Sequence, residues 1–245
     1  MSDKVRFVLV RPQHPGNIGA AARAIKNMGF GRLVLVTERE LDLEAAKPMS
    51  THAADVLDAA EIHPNLESAL EGVVWAVATT GRTRQWQYQQ LTSPELGAEL
   101  ARRSQSGDVA ILFGQENFGL DNDSVARCQA ICEIPTVGMK SLNLAQAVLI
   151  VAYELMQAGD LAEVESHSER EVVDLVEVEP VVASWVEAWQ AVGFMRGKNP
   201  EHFSATLRQI LGRASLDYRE ISVLKGFFRK LRRYLERTGG VAPRE

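Results

Sequence analysis

Four short runs of this chain are apolar from end to end: residues 7–10 (Phe-Val-Leu-Val), 33–36 (Leu-Val-Leu-Val), 73–78 (Val-Val-Trp-Ala-Val-Ala) and 109–113 (Val-Ala-Ile-Leu-Phe). A strand with one wet face alternates apolar and polar residues, whereas a strand covered on both faces has no need to. Helical patterns stand between these runs. Residues 18–28 are Ala-rich and stop at Gly29, and residues 53–57 and 66–70 look helical. Residues 94–103 read as a helix with Ser93 as N-cap and Pro94 in its first turn. Residues 122–129 read as a helix, 130–134 as a strand, and 144–156 as a long apolar helix. Strands alternating with helices predict an α/β domain on a mostly parallel, doubly wound sheet.

The pattern changes near Gly159. Residues 161–179 are Glu-rich and poor in core residues, as in an acidic linker or a mobile first helix. After Pro180, Val181, Val182, Trp185, Trp189 and Val192 follow a helical period. Asn199-Pro200 opens another helix, and Ile221, Leu224, Phe228, Leu231 and Leu235 form one stripe of a third. The expected organisation is a sheet domain over residues 1–160 and a small helical part over 180–245. No internal repeat stands out.

At 245 residues and 46% hydrophobic, the chain can bury such a core. No apolar run approaches the ~20 residues of a membrane span. No charged leader precedes an apolar segment near Met1, so the expected location is the cytoplasm. Cys128 and Cys132 read as reduced core residues, and the five histidines show no ligand spacing, so no metal is expected. The net charge of −5 hides an asymmetry. Residues 163–187 hold eight acidic residues against one basic, while 188–245 hold twelve basic against five acidic. A basic end on an acidic chain suits a polyanionic partner, or merely a solvated helix face.

Three stretches at strand-to-loop junctions carry the chemistry. Asn17-x-Gly19-x-x-x-Arg23 opens a helix after the first strand. Gly16 and Gly19 permit close backbone approach, Asn17 suits a cap, and a helix N-terminus favours an anion such as phosphate. Arg23 can grip a phosphate bidentately, or it is a surface arginine. Gly114-x-Glu116-x-x-Gly119 follows residues 109–113, and its carboxylate can hold loop amides or touch a ligand. Ser141-x-Asn143 stands at the entry to the last apolar helix, where both residue types also cap. Gly114, Ile134 and Leu142 offer backbone and apolar surface for a flat base ring. In an open α/β sheet, ligands lie at such junctions.

These three stretches, in this order, resemble the motifs of the SPOUT class of RNA methyltransferases, in its ribose 2′-O-methylating branch. The likeness covers about residues 4–158, with no departure at the motif positions, and the helical end resembles the extension of members that modify nucleotide 32 of the tRNA anticodon loop. The resemblance implies a trefoil-knotted sheet domain, S-adenosylmethionine as methyl donor, no metal, and a homodimer acting on tRNA. It implies donor contacts from Thr79, Thr80, Gly81, Gly114, Ile134, Ser141, Leu142 and Asn143. It makes Arg23 the candidate catalytic residue, with Asn17, Glu116, Ser141 and Asn143 positioning ribose, donor and loop. An arginine stays protonated at neutral pH, so Arg23 is expected to hold a phosphate and orient the hydroxyl rather than act as base.

The basic helix over residues 219–237 then becomes the RNA-binding element. Arg219, Lys225, Arg229, Lys230, Arg232 and Arg233 would meet phosphates, and Phe227, Tyr234 or Trp189 would stack on bases. Trp185, Trp189 and Phe228 also read as small-domain core. Other readings are a SPOUT enzyme for ribosomal RNA, an RNA-binding module without catalysis, and a dinucleotide-dependent oxidoreductase. The intact motif residues disfavour the second, and the missing Gly-x-Gly-x-x-Gly after the first strand disfavours the third.

Overall fold

The computed structural model describes residues 2–81, 88–159, 172–195 and 199–238. Seven parallel strands form one sheet: β1 (Val5–Val10), β2 (Arg32–Val36), β3 (Glu61–His63), β4 (Val73–Thr79), β5 (Gln89–Thr92), β6 (Asp108–Phe113) and β7 (Ala130–Glu133). Their order is β3-β2-β1-β6-β4-β7-β5. The helices of the sheet region are α1 (Pro15–Asn27), α2 (Lys47–Ser50), α3 (Ala54–Asp58), α4 (Leu66–Ala69), α5 (Ser93–Arg103), α6 (Asn122–Ala126) and α7 (Leu144–Gly159). The C-terminal helices are α8 (Leu175–Ala191), α9 (Pro200–Ala214) and α10 (Tyr218–Thr238).

The apolar runs are the central strands, and their side chains alternate between two cores. Phe7 and Leu9 of β1, with Ile111 and Phe113 of β6, face the layer built by α1, α3, α5 and α7. Val8, Val10, Ala110 and Leu112 face the layer built by α4, α6 and the start of α8. Both sets are at most 4% exposed, so neither face tolerated a polar residue.

Local chemistry sets the helix ends. Pro15 stands in the first turn of α1, and Gly29, at φ 79°, ends the turn after it in the left-handed region. The start of α5 differs from the expectation by one residue. Thr92 is the N-cap, with Glu95 completing a capping box, and Ser93 is buried inside the helix. The helix expected over 122–129 ends at Ala126, which leaves Cys128 beyond it, while Cys132 is on β7 as the expected strand has it. Both cysteines are buried and free, and burial pushes the Cys132 thiol up to about 12.

Helix α8 starts at Leu175, inside the stretch expected as linker, with Asp174 capping it and Pro180 in its second turn. The remainder of that stretch that lies in 160–171 falls outside the described residues. Trp185, Trp189, Phe203 and Phe228 pack in one cluster of α8, α9 and α10. That cluster is docked on the sheet region. Arg103 of α5, 8% exposed, donates to the Gly212 carbonyl at 3.2 Å and to Ser215 Oγ at 2.5 Å. A Cβ on Gly212 would stand 2.0 Å from Gln129 Cγ, so only glycine lets α9 lie there.

Candidate active site

Parallel strands put all their C-terminal ends on one edge. Along it, the loops after β4, β6 and β7 enclose a cleft of about 370 Å³. Thr79, Thr80, Gly81, Gly114, Ile134, Ser141 and Leu142, all expected at a ligand, line it. Phe113, Phe118, Leu144 and Ala147 add apolar wall, and Gln115 and Lys140 add polar groups. None of those six carries a site role in the sequence reading, although Gln115 and Phe118 lie inside the second motif and Phe113, Lys140, Leu144 and Ala147 lie within four residues of one.

Close backbone packing shapes the cleft. Gln115 and Gly119 bridge, so the loop after β6 turns back on itself. A Cβ on Gly114 would lie 2.1 Å from the Gly119 carbonyl carbon and from Leu120 N. The glycine is therefore dictated by the loop's own closure. At Gly81, a Cβ would come within 2.8 Å of the Lys140 carbonyl, which presses the segment after β7 against the end of β4.

Glu116 joins the motifs. Its carboxylate accepts from the backbone N–H of Gln13 at 2.9 Å and of His14 at 3.1 Å, and from Asn17 Nδ2 at 2.8 Å. The anion expected at the start of α1 is thus the protein's own side chain, from about 100 residues away. Burial alone would raise the Glu116 pKa, but the donors, Asn17 first among them, hold it below the usual carboxylate range.

Asn17 does not cap α1. The N-cap is His14, and Asn17 sits in the first turn with its side chain turned to the neighbouring loops. Its Oδ1 accepts from Asn143 Nδ2 at 3.0 Å. Asn143 Oδ1 in turn accepts from the N–H groups of Ala145 at 2.9 Å and Gln146 at 3.3 Å, capping α7. Asn17 therefore ties the first motif to each of the other two by one hydrogen bond. Asn143 supports the cleft from outside it, whereas Ser141 is on the wall. Gly19 is also structural: a Cβ there would meet the Ala46 carbonyl at 2.0 Å, where α1 passes α2.

Arg23 is not brought to this cleft. It lies on the exposed face of α1, with Nη1 3.4 Å from Thr51 Oγ1. In the basic helix, Arg219, Arg229, Lys230, Arg232 and Arg233 are exposed, and Lys225 is tied to Glu177 of α8. Phe227 and Tyr234 are more than half exposed, whereas Trp189 is only partly exposed and packs with Phe194 and Phe203. Among the described residues, no group of three or more His, Cys, Asp or Glu could hold a metal ion. No helix among them is long and apolar enough to cross a membrane.

Residues 4–153 match the model of the SpoU rRNA Methylase family, and residues 176–240 match that of the tRNA methyltransferase TrmJ C-terminal domain. The Pseudomonas aeruginosa protein named tRNA (cytidine/uridine/adenosine-2′-O-)-methyltransferase TrmJ is 35% identical over 238 residues, spanning 92% of this chain and 93% of that protein. The Sodalis glossinidius tRNA (cytidine/uridine-2′-O-)-methyltransferase TrmJ is 33% identical over 92% of this chain and 90% of its own length. Among solved structures, TrmJ from Z. mobilis superposes with a TM-score of 0.79 at 30% identity, covering 93% of this chain and 98% of that one. A protein described by the 2-OH methylation of C/U34 on tRNA superposes with a TM-score of 0.51 at 26% identity, covering 64% of this chain and 97% of its own. Family model, relatives and neighbours agree with the motif geometry, and the chain belongs to the SpoU methylase family, in the group whose members carry a TrmJ C-terminal domain.

Proposed function

We propose that this chain methylates the ribose 2′-hydroxyl of a pyrimidine at position 32 of the tRNA anticodon loop, with S-adenosylmethionine as donor. The observation that carries the reading is the cleft after β4, β6 and β7, which the second and third motifs line and the first braces through Asn17, in a member of this family. Its size lies within the ~300–1,000 Å³ of small-ligand pockets. Phe113, Ile134, Leu142 and Leu144 suit a flat base, and Thr79, Thr80, Ser141 and loop amides suit polar groups around it. When bound, the donor supplies a methyl group made electrophilic by a sulfonium. The residues' task is alignment of the hydroxyl and removal of its proton.

Arg23 serves that step by holding the adjacent phosphate and fixing the hydroxyl, with the phosphate or a water taking the proton. Its place outside its own cleft supports service to the cleft of a second copy. A homodimer is further supported by α7, which packs against α1 and leaves Leu149 and Tyr153 at least 40% exposed. The contact of Gly81 with the segment before α7 suits the trefoil knot of the family. The first 160 residues are the methyltransferase unit, and the exposed cations of α10 hold the RNA. The structure related to position 34 aligns over 64% of the chain, so the choice of position 32 rests on the helical end. A cytoplasmic location follows from the substrate.

The test is methylation of unmodified tRNA with labelled donor, followed by mapping of the methylated nucleoside. A 2′-O-methyl pyrimidine at position 32 is expected. Label in ribosomal RNA but not in tRNA overturns the substrate assignment and favours the alternative RNA, and label on a base overturns the ribose hydroxyl as the acceptor.

A further inference from the structure

A second cleft, of about 410 Å³, opens on the same sheet edge between β1, β2 and α6. The two clefts share a wall: Leu120 lines the first and Asp121, the next residue, lines the second. Nothing in the motif chemistry uses it. Its floor is apolar, with Val10 and Val36 at the strand ends and Leu66 beside them. Three guanidiniums stand around it, Arg11, Arg39 and Arg127.

Their engagement differs. Arg11 pairs with Asp121, which also caps α6 by accepting from Ser124 N–H at 2.8 Å. Arg127 is 3.9 Å from Glu67, beyond hydrogen-bond reach. Arg39 makes no ion pair among the described residues, although it is charged and exposed. Arg11 also has φ 53°, a left-handed conformation unusual for a residue with a side chain, pinned by its N–H on the Val36 carbonyl at 2.8 Å. That turn steers the chain from β1 toward Gln13 and Glu116, so Arg11 is the joint between the two clefts.

Carboxylates of Glu38, Asp121 and Asp123 balance the three arginines, so a bare anion gains little here. A nucleotide satisfies both sets: its phosphate takes the guanidiniums, and its base lies on the apolar floor with amino or imino N–H groups toward the carboxylates. The substrate proposed above is a polymer, and its next nucleotide must lie near the first cleft. We infer that this second cleft seats a nucleotide flanking the methylated one, with Arg39 and Arg127 on its phosphates. The inference rests on the RNA-methylation reading.

The experiment measures affinity for an unmodified tRNA transcript against salt, for the full-length protein and for Arg39→Ala, Arg127→Ala and the double variant. Donor affinity and melting temperature are measured on each. The double variant should bind tRNA about tenfold more weakly, with the salt slope shallower by about 1.4 for two lost phosphate contacts. Its donor affinity and melting temperature should match wild type, its KM for tRNA should rise, and kcat at saturation should hold. Arg39→Lys should restore most of the slope. Wild-type affinity and slope in the double variant overturn the cleft. A wild-type protein that binds tRNA but places no methyl on ribose overturns the methylation reading instead, while the ratio of affinities still decides the cleft.

Discussion

Asn143 donates its side-chain amide to Asn17 at 3.0 Å, while its carbonyl oxygen caps α7. One residue thus fixes both the start of a helix and the orientation of a side chain 126 positions away. Because Asn17 passes its own amide to Glu116, the three bonds run in one direction and only one arrangement satisfies all of them. Asn17→Ala and Asn143→Ala should each destabilise by about 1–2 kcal/mol, through one or two lost hydrogen bonds and, for Asn143, a lost cap. The double variant should cost less than the sum, with a coupling of at least 0.5 kcal/mol. Urea unfolding of the four proteins measures it, and strict additivity would show the two residues to be energetically independent.

Glu116 gives the same network a pH dependence. Its folded pKa is depressed, so the stability it contributes is fully present above the unfolded value of about 4.3 and is lost as pH falls through the folded value. The loop after β6 should therefore stay intact at pH 5 and loosen well below pH 4. Glu116→Gln keeps the shape but removes the charge, so its unfolding midpoint should be lower at pH 7 and flatter on the acid side. Midpoints between pH 3 and pH 7 test this, and parallel curves for both proteins would assign the acid limb to other carboxylates. Asp108 is one such group, held low by Arg6 and Arg32 despite its burial.

What was legible in the sequence follows from which residues carry an unshared signal. The central strands were readable because burial on two faces leaves a continuous apolar run. β3 and β5 were not: they are edge strands of three and four residues, and Gln89 to Thr92 look like any polar loop. Each motif was legible alone, but the bonds between them were not. Residues 17, 116 and 143 meet through sheet order, and no local pattern encodes that β6 lies beside β1. Hence the acceptor expected at the start of α1 was a ligand phosphate, whereas the fold brings its own carboxylate. The docking of α9 on Arg103 was hidden for the same reason, since a glycine and a serine in a helical stretch carry no long-range signal.

Gly114→Ala tests whether loop closure or the donor needs that glycine. The added methyl would overlap Gly119 and Leu120 at 2.1 Å, and both contacts are backbone, which has nowhere to move. The loop must open, so donor affinity should fall at least a hundredfold and stability by about 2–3 kcal/mol. Calorimetric titration with S-adenosylmethionine beside thermal unfolding reads both. A loss of affinity at unchanged stability would place the glycine against the donor instead.

Arg23→Ala should remove methyl transfer while leaving fold and donor affinity near wild type, because the side chain is exposed and makes one long contact to Thr51. Mixing Arg23→Ala with Gly114→Ala makes the test specific to a dimer. If Arg23 serves the other copy's cleft, a mixed dimer regains one site with an intact cleft and an intact arginine, up to about a quarter of the wild-type activity at equal mixing. No recovery in a mixture shown to exchange subunits would assign Arg23 to its own cleft.

Removing the helical end and neutralising its cations should have different effects. Truncation at residue 170 strips Arg103 of the Gly212 carbonyl and the Ser215 hydroxyl and removes the helix end packed on its guanidinium, leaving Glu99 as its carboxylate partner. It also uncovers the floor that Leu175 shares with the sheet. The truncated chain should therefore lose several kcal/mol, and donor affinity with it, so its loss of tRNA binding says little about contacts. The triple variant Arg229→Glu, Lys230→Glu, Arg233→Glu touches exposed side chains of α10 and leaves the Arg103 contacts in place. It should keep its melting temperature and donor affinity and bind tRNA at least tenfold more weakly, with a flatter salt dependence. Equal tRNA affinity in the triple variant and wild type would move RNA recognition off α10.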